Sequence, residues 1–433
     1  MEKLEKGPSI ATGKTKEIFA IVGQDDEVIV RNKKDITALD DANRTRQFGS
    51  KAVCATTTTC NVFELLNACG VPTAYVGRYS ETEFIMKKSK MIPLEVVARR
   101  RAVGSYLMRH PEMKTANATE PKRFHRLEVE FFLKTTGGNF GTLFSGLTDS
   151  VGKKIDDPLI INPRGEKWHL IHSKEPAWTN EAVISVTNIA PQVTPQQIDQ
   201  MEEITRQAFL VLEKAWAVLG LDLIDFKIEF DDQLRISDVV DNDSWRLWLN
   251  GEQLDKQLFR DQGEAALGKI EENYQLVAML SERLRLPKQA LVFWRGSDKD
   301  QLPKDIPSVP GVKNINVIKS GHKGTVQSME ELDRIIADYP QGGAIVCSVG
   351  RSDGLGPILA AHTSWSVVVC PSTLKEFPND IWSSIMMPSG VPLLTAWPES
   401  NAFAAAVGIL SQTNPAAYMQ LQLAREKQDN LIA

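Results

Sequence analysis

The chain has 433 residues, 42% apolar and 24% charged, a balance that excludes a largely disordered protein. Its 50 basic and 55 acidic side chains leave a net charge of −5, which excludes a general basic surface for nucleic acid. No apolar run approaches the ~20 residues of a membrane helix, and the opening MEKLEKGPSI carries no hydrophobic signal core, so a cytoplasmic protein of roughly two to four domains, with no membrane partner, is expected.

The first stretch reads as β-rich. IFAIV (18–22) and EVIVRN (27–32) are β-branched runs separated by GQDD, the composition of a hairpin turn. A helix is expected over about 50–69, stopped by Gly70 with Pro72 beyond it. AYVGRY and EFIMKK follow as strands, then EVVARRRAVGSYLMR after Pro93. Residues 134–182 are rich in Gly, Asp, Asn and Pro without periodicity, and are too long for an ordinary connection. Thr194-Pro195-Gln196-Gln197 opens a strong helix with a capping box, and Gly220 stops it. LIDFKIEF (223–230) and LRISDVV (234–240) read as two joined strands ending in carboxylates. A charged helix over 263–284 reads as a bridge into a second domain. After Pro287 the runs ALVFW, INVIK, AIVCSVG and SVVVCP occur with helix-like segments between the later ones, the grammar of a parallel sheet covered on both faces. Two helices end the chain.

Gly13-Lys14-Thr15 imitates a Walker A ending, but position 8 is Pro8 where the first glycine belongs, and a strand follows instead of a helix. A Gly-Lys turn closing over nucleotide phosphates survives as a reading, beside a plain hairpin turn. Arg99-Arg100-Arg101, Gly104-Ser105 and Arg109 suit a phosphate-bearing substrate, and equally a solvated basic helix face. In a strand, Asp225, Lys227 and Glu229 share one face. A carboxylate at each of two paired strand ends, in DFKIE (225–229) and DVVDND (238–243), is a typical magnesium arrangement. The five cysteines form no CxxC pair and read as buried, reduced thiols.

GKTKE (13–17), RQFGSKA (46–52), IPLEVVARRRAVGS (92–105), DFKIEF (225–230) and DVVDNDSWRLW (238–248) resemble the phosphoribosylaminoimidazole-succinocarboxamide synthase family, in that family's order, up to about residue 260. GSDKD (296–300), SGHKG (320–324), VGRSDGLGP (349–357) and MPSG (387–390) resemble the phosphoribosylaminoimidazole carboxylase family. The fusion resembles the bifunctional enzymes of animal purine synthesis. It implies an α/β chain of two domains: an α+β ATP-dependent ligase domain with two β-rich lobes over 1–262, and a doubly wound parallel-sheet carboxylase domain over 263–433. The implied substrates are phosphoribosyl nucleotides, CO2 and L-aspartate; the implied cofactors are ATP and Mg2+, without biotin. A homo-oligomer, an octamer built on the second domain, is expected.

By motif position the resemblance assigns Gly13, Lys14, Lys16, Lys87, Glu229 and Asp238 to ATP, with Glu229 and Asp238 also holding the metal. It assigns Arg99, Ser105 and Arg246 to the substrate phosphate, and Lys227 to the reacting carboxylate. Asp35 and Thr37 fall near the nucleotide loop. Lys134 matches a lysine that the family follows closely by Asp-Pro, whereas Asp157-Pro158 comes much later here. In the second half, Gly296, Ser297, Asp300, Ser320, Lys323, Gly350, Arg351 and Gly354 are assigned to substrate, and His322 to proton transfer. The family's phosphate loop has Ser where Lys299 stands, and Pro303, Pro307 and Pro310 oppose the helix that should follow it. A ligase whose second domain is only an assembly scaffold is the alternative; a non-catalytic nucleotide-binding module is a weaker one.

Overall fold

The structure, a computed structural model, describes residues 4–13, 15–37, 45–47, 49–117, 120–135, 147–149, 151–153, 155–176, 178–184, 189–254, 267–298, 300 and 305–432. It divides into two units, Met1–Arg285 and Leu286–Ala433.

In the first unit β1 (Lys6–Thr12), β2 (Lys16–Ile21) and β3 (Gln24–Asn32) run antiparallel, with Gly23 at φ +77° supplying the β2–β3 turn. β4 (Asp35–Thr37) and β5 (Thr45–Gln47) form a separate small ladder. α1 (Lys51–Ala68) follows and ends as expected near Gly70, at φ +82°. β6 (Tyr75–Arg78) and β7 (Glu83–Lys87) complete a sheet of order β1-β2-β3-β7-β6.

β8 (Met91–Arg101), α2 (Ser105–Arg109), β9 (Arg123–Leu133), β10 (Leu159–Ile160), β11 (Leu170–Ile171), α3 (Pro195–Val218), β12 (Leu221–Asp231), β13 (Trp245–Leu249) and β14 (Glu252–Gln253) come next. Their strands form a seven-stranded sheet of order β11-β10-β9-β8-β12-β13-β14. α3 begins with the expected capping box: Gln197 N donates to Thr194 Oγ1 at 3.2 Å and Thr194 N donates to Gln197 Oε1 at 2.9 Å. Its apolar stripe covers the sheet, Phe209 meeting Phe226 edge-on at 5.3 Å and Trp216 meeting Trp245 at 5.6 Å.

Three expectations change here. Residues 99–101 end strand β8 and are not a helix face, so the pleat sends Arg99 and Arg100 to opposite sides. Arg100 binds Glu213 of α3 at 2.6 Å and 3.0 Å, whereas Arg99 turns to the other face. Residues 234–240 form no strand; β13 pairs with β12 in their place, Asp225 opposite Arg246. The reason is local: the Asp231 carboxylate accepts from Gln233 N at 3.1 Å and Arg235 N at 2.8 Å, a side-chain turn that competes with the ladder. Finally, α4 (Leu267–Ser281), read as a bridge, packs inside the first unit, which runs to Arg285. α4 buries Ile270, Tyr274 and Val277, and it bonds α1 through Ser50 Oγ to Glu271 at 2.7 Å and Asn61 to Ser281 Oγ at 2.9 Å.

The second unit contains β15 (Gln289–Arg295), β16 (Val312–Ile318), α5 (Thr325–Asp338), β17 (Gly343–Val349), α6 (Gly356–Ala361), β18 (Ser366–Pro371), α7 (Trp382–Ile385), β19 (Leu393–Thr395), α8 (Glu399–Leu410) and α9 (Pro415–Ile432). All five strands are parallel, in the order β16-β15-β17-β18-β19. Val292, Trp294, Ile345, Cys347, Val367 and Val369 build one core with Leu332, Ile335 and Leu359 of the helices. Among the described residues between β15 and β16 there is no helix, as the prolines require. Ser308 and Pro310 carbonyls accept from Gln420 at 3.1 Å and Asn414 at 3.2 Å. All five cysteines are buried and free, and no helix among the described residues is long and apolar enough to cross a membrane.

Candidate active site

β12 carries the first constellation. Register sets Asp225 against Arg99 and Glu229 against Glu95 of β8. At the Asp225 end, Arg99 Nη1 donates to Asp225 Oδ2 at 2.6 Å, and Arg246 Nη1 donates to the same oxygen at 2.5 Å. Arg99 Nη2 reaches Ser105 Oγ at 3.1 Å. Gly104 stands at φ +57°, and a Cβ there would lie 2.5 Å from Arg246 Nη2; only glycine permits both this turn and the guanidinium above it. Arg99, Ser105 and Arg246 are therefore one cluster, with Arg99 3% exposed and Arg246 the outer member.

Four residues along β12 the chemistry changes. Glu229 pairs with Lys134, and Lys227 with Glu95 at 2.8 Å. Ser237 N donates to Glu229 O at 3.0 Å, which draws the following Asp238 beside the strand although 234–240 is a loop. Asp238 pairs with Lys16, just after the β1–β2 turn, where Gly13 N donates to Lys16 O at 2.8 Å. Burial is the largest influence on Lys16; with the ammonium groups of Lys134 and Lys227 it outweighs Glu229 and Asp241 and lowers the amine to about 8. Burial raises the Glu95 carboxyl, but Lys227, Lys134 and Arg99 together hold it below its ordinary value. Burial and the neighbouring Asp243 push Asp241 up. Asp243 is itself held by Lys51 at 3.0 Å and by Tyr274 OH of α4 at 2.5 Å. Glu229 and Asp238 are hard oxygen donors, and each is paired with an ammonium group, Lys134 and Lys16.

Lys14 lies outside the described residues, as do the side chains of Asp35 and Thr37. Lys87 is not brought to this group: it pairs with Glu27 at 2.7 Å and Asp26 at 3.0 Å, at the end of β3 opposite the one that faces Lys16. Asp157-Pro158 does arrive. Thr135 N donates to Asp157 Oδ1 at 2.8 Å and Leu133 N to Pro158 O at 3.0 Å, so residues 157–158 lie beside 133–135.

The second constellation lies at the carboxyl ends of β15, β16 and β17, where parallel sheets bind ligands. Ser297 N and Oγ donate to Asp300 Oδ2 at 2.9 Å and 3.1 Å, closing the turn after Gly296. Ser320 Oγ accepts from Lys323 N at 3.3 Å. The loops 320–324 and 350–356 interlock through glycine. A Cβ on Gly321 would lie 2.4 Å from Gly354 O, and one on Gly354 would lie 2.5 Å from His322 Nδ1. Arg351, after Gly350, stacks its guanidinium 4.1 Å from the Phe377 ring.

Sequence reading missed Glu130 and Arg295, and gave Asp353, inside VGRSDGLGP, no role of its own. Glu130 joins Arg99 at 2.8 Å and also binds Arg109. Arg295, at the end of β15, donates to Asp300 O. Asp353 accepts from Gly356 N at 2.8 Å, and burial raises its carboxyl. Glu130 and Arg295 lie outside the quoted motifs, and Glu130 acts across strands.

The SAICAR synthetase family model matches residues 9–143 and 168–277, and the AIR carboxylase family model matches 308–430. The chain is 34% identical to the probable multifunctional protein ADE2 of Caenorhabditis elegans, over 96% of this chain and 93% of that one. It is 31% identical to the multifunctional protein ADE2 of Gallus gallus, over 97% and 93%. It is also 31% identical to the Homo sapiens bifunctional phosphoribosylaminoimidazole carboxylase/phosphoribosylaminoimidazole succinocarboxamide synthetase, over 95% and 92%. The solved structure described as SAICAR synthetase (type 2) in complex with ADP matches at TM-score 0.46 and 23% identity, over 64% of this chain and 97% of that one. The chain belongs to the family of bifunctional phosphoribosylaminoimidazole carboxylase/phosphoribosylaminoimidazole succinocarboxamide synthetases.

Proposed function

We propose that the first unit uses ATP to join L-aspartate to carboxyaminoimidazole ribonucleotide, and that the second makes that nucleotide from aminoimidazole ribonucleotide and CO2. One observation carries the ligase reading. A single face of β12 holds Asp225, which gathers the arginine cluster, and Glu229, beside which the loop carries Asp238, four residues or roughly 13 Å apart, with Lys227 between them. That spacing suits a ribonucleotide lying along the strand, phosphate at Arg99, Ser105 and Arg246, carboxylate at Lys227.

In the ligation, a substrate carboxylate oxygen takes the γ-phosphoryl group from ATP and ADP leaves. The aspartate amine then attacks the acyl phosphate; the C–N bond forms, phosphate departs, and the amine loses a proton. Lys16 lies over the phosphates as a point charge. Glu229 and Asp238 would hold Mg2+, which supplies charge neutralisation on the transferred phosphoryl group.

In the second unit, C–C bond formation at the imidazole carbon displaces a ring proton, and His322 takes it. The Gly296–Asp300, Ser320–Lys323 and Gly350–Gly354 loops surround the nucleotide. Neither ATP nor biotin enters this step. The active form is a cytoplasmic homo-octamer assembled through the second unit.

Each half-reaction is to be assayed on the whole chain, with aminoimidazole ribonucleotide plus bicarbonate, and separately with carboxyaminoimidazole ribonucleotide, aspartate and MgATP. Both products are expected. Ligation without carboxylation would make the second unit a scaffold; the carboxylase family model matches from residue 308, after the Gly296–Asp300 loop.

A further inference from the structure

Arg109 is fully buried, with no exposed surface, and therefore cannot touch a substrate. Yet it belongs to an unbroken chain of charges that ends at the arginine cluster. Arg109 Nη2 donates to Glu130 Oε1, and Arg99 Nε donates to Glu130 Oε2 at 2.8 Å. Arg99 Nη1 donates to Asp225 Oδ2 at 2.6 Å, the oxygen that also receives Arg246. Glu130 is 7% exposed and Asp225 4%, so the chain runs almost wholly inside the protein.

The placement of Arg109 matters as much as its charge. α2 spans only Ser105–Arg109 and follows Gly104, which has no side chain to cap the helix. Its first residue, Ser105, is held by Arg99; its last, Arg109, is held by Glu130 and by Ser173 O at 2.6 Å. Both ends of the helix are thus pinned to the same Arg99–Glu130 pair. A five-residue helix has no stability of its own, so these contacts set where Ser105 stands. Glu130 and Asp225 in turn grip Arg99 from opposite sides and leave its guanidinium one orientation.

Buried ion pairs give little net stability compared with apolar side chains of equal volume. Their distinct contribution is geometry. We propose that Arg109 is a positioning residue of the phosphate-binding cluster, acting through Glu130 and Arg99 to place Ser105 and Arg246 for the ribonucleotide phosphate; this rests on the ligase reading above.

The test uses the full chain, with Arg109→Met, Arg109→Lys and Glu130→Gln. Ligation kinetics are measured against carboxyaminoimidazole ribonucleotide, aspartate and MgATP in turn, below each variant's melting temperature. Arg109→Met and Glu130→Gln are each expected to raise the ribonucleotide KM by about tenfold to about a hundredfold, with the MgATP KM unchanged. Arg109→Lys keeps the charge without the fork and should fall between parent and Met. The double variant Arg109→Met/Glu130→Gln should be no worse than the poorer single variant, because both act through one link. A parental ribonucleotide KM in folded Arg109→Lys and Glu130→Gln overturns the assignment, even if Arg109→Met fails to fold. Additive losses, or equal losses for all three substrates, overturn it too and leave Arg109 a structural residue. Should the parent chain itself form no ligation product, the ligase reading falls first and this inference with it.

Discussion

Thr135 and Asp157 are 22 residues apart in the chain and joined by three hydrogen bonds in space. Thr135 N donates to Asp157 Oδ1 at 2.8 Å, and Asp157 N donates to Thr135 Oγ1 at 2.9 Å. Asp157 adopts φ +48°, a backbone state a non-glycine residue keeps only when its surroundings impose it. The pair closes the excursion after Lys134, whose amine faces Glu229. Asp157→Ala leaves Thr135 N without its acceptor. Folding of the first unit should weaken by about 1–2 kcal/mol in denaturant titration. Ligation should fall while carboxylation stays at the parental rate.

Asp238→Asn should abolish ligation and leave the fold intact. The substitution removes one of two hard oxygen charges and leaves Lys16 without its ion-pair partner. Circular dichroism checks the fold, and ATP-dependent product formation across a magnesium titration checks the chemistry. Near-parental turnover at ordinary magnesium would remove Asp238 from the metal pair.

Lys16 yields a pH prediction. Its amine is lowered from the ordinary 10.5 to about 8, mainly by burial. The unfolded chain therefore holds this proton to higher pH than the folded one. The group opposes folding below about pH 8, and that penalty disappears as pH rises from about 8 to 10.5. Binding runs the other way. Above about pH 8 the positive charge is lost, so the MgATP KM should climb there. Lys16→Arg, which stays charged, should flatten the climb. A wild-type KM that is level through this range would contradict the placing of Lys16 on the phosphates.

His322→Ala should remove carboxylation and spare ligation, a loss of about 10²–10⁴ in rate for a positioned acid–base group. Gly354→Ala provides an independent route to the same result. The added methyl group would lie 2.5 Å from His322 Nδ1 and must displace the ring. Carboxylation in Gly354→Ala equal to the parent would show that the ring position is immaterial.

Residues 1–285, not 1–262, should form the autonomous ligase. Cutting at 262 removes α4 and with it Ile270, Tyr274 and Val277, each worth about 1.5–3 kcal/mol of buried surface. It also strips Tyr274 OH from Asp243. Thermal melting should show a cooperative transition for 1–285 and a lowered or absent one for 1–262. Light scattering should find 1–285 less assembled than the whole chain; an octamer of 1–285 would place assembly in the wrong unit.

Local physics was legible without the structure. The capping box at Thr194, the stops at Gly70 and Gly220, and the β/α alternation after Pro287 depend on neighbours a few residues apart, so periodicity and turn chemistry suffice to read them. The lack of a helix among the described residues after Gly296 is of the same kind. The motifs also carried the family, because spacing within a motif is itself a sequence property.

What the sequence could not determine was which distant segments meet. Residues 234–240 read as the strand beside 223–230, but Trp245–Leu249 took that place against β12, since Asp231 had already turned the chain. The strand pleat separated Arg99 from Arg100. The sheet carried Lys87 to the far end of β3, away from Lys16. Asp157 rejoined Lys134 across 22 residues beyond Thr135, and α4 settled on α1 although composition made it a bridge. In each case the deciding free energy comes from burial and hydrogen bonding between segments far apart in the chain, and that exists only once the chain has folded.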